Sequence, residues 1–305
     1  MILNISGRTD VVNYYTPWLM NRFKEGYVLS RNPLFPQKVM RIDLSPEKID
    51  AIVFCPKNYR PILPYLPEIT RRYATYFHYT ITAYGKDLEP GVPSLEESVQ
   101  TLLELEKIVG KERIAWRYDP VLLTSRYTVE THRRTFSFLA DALSSHVDRC
   151  IFSFVEVYRK LERNLPELVM MSPGERNLLA KELGAIARAH HLWIQTCGTN
   201  EDFARYGIHP SGCIAMDVIG RANGLRFRRH KPEGTREGCH CVLTRDVGAY
   251  GTCPNGCRYC YANPDPETAL RNYHLHDPDS PLLFGKVQPG DVILPANQKS
   301  LLEQG

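Results

Sequence analysis

Cys253, Cys257 and Cys260 are spaced CxxxCxxC in the segment Gly251-Thr252-Cys253-Pro254-Asn255-Gly256-Cys257-Arg258-Tyr259-Cys260-Tyr261-Ala262-Asn263. Three thiolates on one loop can hold three irons of a cubane [4Fe–4S] cluster and leave the fourth iron open to a small ligand, whereas an electron-carrying cubane usually takes four cysteines. Cys239 and Cys241 precede this triad, so a structural zinc competes for the same thiols. Zinc takes four ligands, commonly as two CxxC-like pairs, and a CxC pair followed by a triad fits that pattern poorly. Free or redox-active thiols are the third reading. Disulfides come last, because nine cysteines is an odd number and the opening residues read as a strand, not as a secretory leader; a reducing, cytoplasmic setting is expected.

Cys213, Cys239 and Cys241 make a second group which, joined by Cys197, could ligate a second iron–sulfur cluster. Cysteines paired on a loop in a reducing compartment are seldom there for packing. Cys55 and Cys150 fall inside apolar runs and read as small buried hydrophobes. His190-His191 ends a helix, where imidazole suits the dipole, and neither is taken as a ligand.

The elements that must position these thiols follow from periodicity. Short β-branched or aromatic runs alternate with longer stretches of helical period, the pattern of parallel strands joined by crossover helices. Six strands are predicted: Ile2 to Ser6, Ala51 to Cys55, Tyr76 to Thr82, Arg113 to Tyr118, Cys150 to Phe154 and Leu192 to Thr196. Helices are predicted to open at Ser45-Pro46-Glu47, at Ser94 with Glu97, and at Ser172-Pro173 with Glu175, with Gly110 closing the second. The expected fold is α/β, a parallel (β/α) barrel of the partial (β/α)6, TIM-like kind over residues 1–200. A loop-rich, cysteine-bearing appendage for the iron–sulfur cluster is expected over residues 201–305.

Function in such barrels gathers at the carboxyl ends of the strands. The residues there are polar: Arg8 and Asp10 after the first predicted strand, Lys57 and Asn58 after the second, Arg117 and Asp119 at the fourth, Glu156 after the fifth. Arg117 and Asp119 are two apart and should share a face of their strand. These seven are the candidate catalytic and ligand-holding set, with arginine forks suited to carboxylates. An alternative use, a metal-dependent hydrolase on Asp10 and Asp119, lacks the histidines such sites usually show. A net charge of +4 does not by itself imply nucleic acid as a partner; the run Arg226-Phe227-Arg228-Arg229-His230-Lys231 is the one dense basic stretch, with Phe227 available for stacking. No run of about 18 apolar residues occurs, so no helical membrane span is expected.

The triad, with Tyr259 just before its third cysteine, resembles the cluster loop of the radical S-adenosylmethionine superfamily. That resemblance implies a [4Fe–4S] cluster whose open iron is chelated by S-adenosylmethionine. It also implies a 5′-deoxyadenosyl radical for hydrogen abstraction from a small-molecule or peptide substrate, and a reductant such as flavodoxin or ferredoxin. Tyr259 and Tyr261 would then pack beside the cluster or the adenine. The loop is also similar to that of spore-photoproduct-lyase-like proteins. Here the triad follows all the predicted strands, so the C-terminal segment must fold back over the mouth. Beyond the loop, Ser6-Gly7-Arg8-Thr9-Asp10, Gly26-Tyr27-Val28, Arg31-Asn32-Pro33, Lys57-Asn58, Arg117-Tyr118-Asp119-Pro120, Cys239-His240-Cys241 and Asp246-Val247-Gly248-Ala249-Tyr250 resemble the bacterial domain of unknown function numbered eighteen forty-eight over nearly the full length. A non-catalytic iron–sulfur or zinc protein, serving electron transfer, sensing or nucleic-acid binding, is the alternative expectation.

Overall fold

The structure, a computed structural model, describes every residue except His230, Pro232, Thr235, Arg236, Glu237, Gln304 and Gly305. In chain order the strands are β1 Ile2–Ile5, β2 Tyr27–Arg31, β3 Lys38–Asp43, β4 Ala51–Phe54, β5 Thr75–Thr80, β6 Ile114–Val121, β7 Arg149–Phe154, β8 Ile194–Thr196, β9 His209–Pro210, β10 Arg245–Asp246 and β11 Val292–Pro295. The α-helices are α1 Val11–Tyr14, α2 Thr16–Glu25, α3 Leu66–Arg72, α4 Leu95–Val109, α5 Val129–Leu143, α6 Arg159–Asn164, α7 Pro173–Ala189, α8 Met216–Asn223 and α9 Pro266–His274.

Eight parallel strands form one sheet in the order β10-β1-β4-β5-β6-β7-β8-β9. Its six inner members are the six predicted strands, with ends shifted by at most three residues. The parallel α/β architecture therefore stands as expected, with eight strands where six were read. Closure into a barrel is not seen among the described residues, since β9 and β10 are the two edges. Their flanks nevertheless meet: the Val242 N–H donates to the Ile214 carbonyl at 3.0 Å. Both edge strands are two residues long and polar, too short to carry a ladder across this seam. They also come from the region past residue 200, so that region shares the main sheet. The rest of the C-terminal segment supplies β11 to a small sheet of order β11-β3-β2.

Strand alternation divides the sheet into two faces. Ile52 and Phe54, Phe77 and Tyr79, Trp116 and Tyr118, Phe152 and Phe154 pack outward with the helices in the main core. The other face carries Ile2, Val53, Tyr76, Ala115 and Ile151, closed by Val218 and Ile219 of α8. That inner face turns polar toward the carboxyl ends, because His78, Arg117, Asp119, Ser153 and Gln195 share its parity. Among the described residues, the buried inner-face atoms Asn4 Oδ1 and Arg117 Nε find no hydrogen-bond partner.

Helix starts follow their caps. Ser94 Oγ accepts the Glu97 N–H at 3.1 Å while Glu97 accepts the Ser94 N–H at 2.8 Å, and Gly110 ends α4 at φ +82°. Ser172 and Glu175 repeat the box on α7. The Ser45 start gives only one 3-10 turn, Pro46–Lys48, where the Ser45 side chain makes no capping bond. No described helix is long and apolar enough to cross a membrane.

Candidate metal centre at the carboxyl ends of the strands

The loop after β1 leads through Gly7 and Arg8 to Asp10, the N-cap of α1. Asp10 Oδ1 accepts the Asn13 N–H at 3.0 Å, and Oδ2 accepts the Lys57 N–H at 2.9 Å and Asn255 Nδ2 at 3.1 Å. One carboxylate thus ties the end of β1, the end of β4 and the triad loop together. Burial pushes its carboxyl up to about 6, against the opposing pull of those hydrogen bonds.

Lys57 Nζ lies 2.9 Å from Glu89 Oε1, with side chains only 14% and 2% exposed. Burial works against the ammonium, but the coulombic attraction of Glu89, Cys257 and Asp119 and the hydrogen bond to Glu89 together outweigh it, and the Lys57 pKa is raised. The same Glu89 oxygen accepts Thr82 Oγ1 at 2.9 Å and the Tyr259 hydroxyl. Lys57 also stands 5.6 Å from the centre of the Tyr259 ring. Glu89 is therefore the hub joining β4, the segment after β5 and the triad loop.

The triad loop folds back over these strand ends. Tyr15 donates to the Thr252 carbonyl and Tyr261 to the Gly7 carbonyl, while Lys160 Nζ donates to the carbonyls of Tyr261 and Asn263. The Gly91 N–H donates to the Asn255 carbonyl at 2.8 Å, and a Cβ at Gly91 would stand 2.8 Å from Asn255 Cα, so only glycine lets these backbones approach. Cys253 is buried; Cys257 and Cys260 are partly so and open on a cavity of about 200 Å³ bounded also by Asn164, Asn263 and Asp265. None of the three is in a disulfide. Burial pushes the Cys253 thiol up to about 12 and the Cys257 thiol well above its ordinary value. Without a metal these thiols keep their protons, so binding one must displace them.

The remaining sequence-derived residues take varied places. Arg117 Nη2 pairs with Asp119 on the shared face expected of them, and Asp119 also accepts the Ser153 hydroxyl. Arg8 is engaged with Asp246 (Nε to Oδ1, 3.0 Å) and with Ser30 Oγ at 3.1 Å, joining β1 to β10 and β2. Asn58 donates to Asn13 Oδ1 at 2.8 Å. Glu156 is exposed. Tyr259 is buried at 7% exposure, whereas Tyr261 is 58% exposed. The structure thus brings Asp10, Lys57 and Tyr259 together with the triad, and sets Arg117 with Asp119 on the inner face. In the basic run, Phe227 packs against the α8 cluster and Arg228 Nε donates to the Leu302 carbonyl at 2.8 Å; His230 lies outside the described residues.

A second thiol group sits apart from the triad. The sulfurs of Cys197, Cys213 and Cys241 all lie within 4.8 Å of one another and are buried, a group able to hold a metal ion. Cys239, partly buried, neighbours the Cys241 thiol. Cys55 Sγ contacts His78 Nδ1 at 3.5 Å, and Cys150 packs in the main core.

Glu89 and Ser153 belong to the same surroundings and were not among the sequence-derived residues. Ser153 had a readable signal, the alternation of β7 that sets it beside Asp119. Glu89 had none, because it lies in an irregular loop nine residues past the end of β5.

Residues 2–262 match the family model described as Domain of unknown function (DUF1848), and the chain belongs to that family. No curated protein matches the chain, and no solved structure does.

Proposed function

We propose that this member of the DUF1848 family is a radical S-adenosylmethionine-type iron–sulfur enzyme. The observation that carries the reading is the docking of the CxxxCxxC loop onto the carboxyl ends of β1, β4 and β5, with Asp10, Lys57 and Glu89 beneath it. Cys253, Cys257 and Cys260 would hold a [4Fe–4S] cluster. Their chemistry fits: three free thiols on one loop, with the Lys57 ammonium close enough to Cys257 to offset thiolate charge.

The chemistry a cluster with an open iron supplies is one-electron reduction of bound S-adenosylmethionine, cleaving it to methionine and a 5′-deoxyadenosyl radical that takes hydrogen from a substrate. The protein's own part is positioning and exclusion of water. Asp10 and Lys57 fix the loop to the strand ends, Tyr259 fills the space between Glu89 and the triad, and Arg117 with Asp119 offers charge to a small polar molecule or peptide on the inner face. A flavodoxin or ferredoxin is the class of reductant required.

The test is anaerobic purification followed by addition of dithionite and S-adenosylmethionine, with 5′-deoxyadenosine measured by chromatography. The reading expects brown protein and 5′-deoxyadenosine that depends on both additions. Brown protein that makes none would support an electron-transfer or sensing role and overturn the enzymatic one.

A further inference from the structure

The thiols outside the triad are placed by a different logic. Cys197 directly follows β8, Cys213 follows β9, and Cys239 and Cys241 precede β10. They straddle the seam where the sheet's two edges approach without pairing, and there the Val242 N–H donates to the Ile214 carbonyl. We infer that Cys197, Cys213, Cys239 and Cys241 hold a single tetrahedral zinc ion that staples this seam, distinct from the triad.

Spacing favours one ion over a cluster. With Zn–S bonds of about 2.3 Å, the sulfurs of a tetrahedral site stand ~3.8 Å apart. Cys213 Sγ lies 3.3 Å from Cys241 Sγ, and the group of three lies within 4.8 Å. A cubane puts each thiolate on a separate iron and spreads the ligands further. The 3.3 Å separation is also far beyond a disulfide bond of about 2.05 Å.

The surroundings are those of thiolates. The Ile214 N–H points at Cys241 Sγ at 3.5 Å, and Arg117 Nη1 stands 3.7 Å from Cys213 Sγ. Such donors around ligand sulfurs orient them and offset their charge. The backbone is shaped to the same end: a Cβ at Gly212 would stand 2.4 Å from the His240 carbonyl, so a glycine is what allows the Cys213 and Cys241 segments to close. Two-residue edge strands gain little from their own ladders, and a metal that joins β8 to both edges supplies the missing constraint.

The experiment is elemental analysis of untagged, full-length protein purified without added metal, together with zinc-edge X-ray absorption. The inference expects about one zinc per chain bound by sulfur alone at about 2.3 Å. That zinc should persist when the triad is changed to serine, and fall to near zero in Cys213→Ser and Cys241→Ser. The absorption spectrum of the unmodified protein keeps the test decisive if those variants fail to fold. Absence of zinc, a shell containing nitrogen or oxygen, iron on these thiols, or a Cys213–Cys241 disulfide in a peptide map would each overturn it. Because the triad reading is tested by iron and 5′-deoxyadenosine, the failure of one is distinguishable from the failure of the other.

Discussion

The mouth and the seam use the same side chain for different ends. At the mouth, the triad thiols sit on one continuous loop, partly open to solvent, held from below by a carboxylate and a lysine–glutamate pair. At the seam, the thiols of Cys197, Cys213 and Cys241 come from three separate segments and are buried. One loop can carry a group that must meet a ligand; several segments converging in the interior are suited to being joined. Local spacing makes the first legible as one motif; the second is readable in the sequence only as a set of candidate thiols, and the fold is what brings Cys197, Cys213 and Cys241 together.

Iron content gives the largest expected contrast. Changing Cys257 to serine should take iron from about four per chain to near zero in anaerobically purified protein, while zinc is retained; parallel loss of both metals would merge the two regions into one site.

Stability gives the next. Lys57→Met leaves Glu89 buried without its cation, and removing one partner of a buried pair typically costs ~3–5 kcal/mol, to be read by denaturant unfolding. Seam zinc should be unaffected in the folded fraction. An unchanged midpoint would show that the Lys57–Glu89 pair does not support the mouth.

Acid titration sharpens the difference further. Asp10 has its pKa raised from 3.8 to about 6 by burial, so the folded form resists ionisation that the unfolded chain accepts. Its contribution to stability is present below about pH 4 and is lost as pH rises through about 6, a change of order ~2–3 kcal/mol. The Asp10→Asn variant should lack that component of the pH profile; a profile parallel to the unmodified protein's would place the titration elsewhere. The smallest effect is the control: Ser94→Ala removes the cap of α4, away from both thiol groups, and should cost ~1 kcal/mol with iron and zinc contents unchanged.

Much of the fold is legible in the sequence itself. The inner strands are continuous apolar runs, and Ser94, Gly110 and Ser172 mark helix ends by chemistry that acts within one turn. Arg117 and Asp119 share a face because strand period alone decides it. His209-Pro210 and Arg245-Asp246 carried no such signal: two polar residues make a strand only when a neighbouring edge accepts them. Glu89 was hidden for the same reason, since its role depends on where a loop is carried by tertiary packing. The approach of Cys197 to Cys213 and Cys241 is likewise a property of sheet order and not of spacing.

Mössbauer spectroscopy of iron-57-enriched protein, prepared without oxygen and recorded with and without S-adenosylmethionine, bears most directly on the triad. The account predicts a cubane in which about one quarter of the iron signal shifts when S-adenosylmethionine is added, the mark of one iron that no cysteine holds. Four irons that all stay unmoved, or protein with no iron at all, would contradict it.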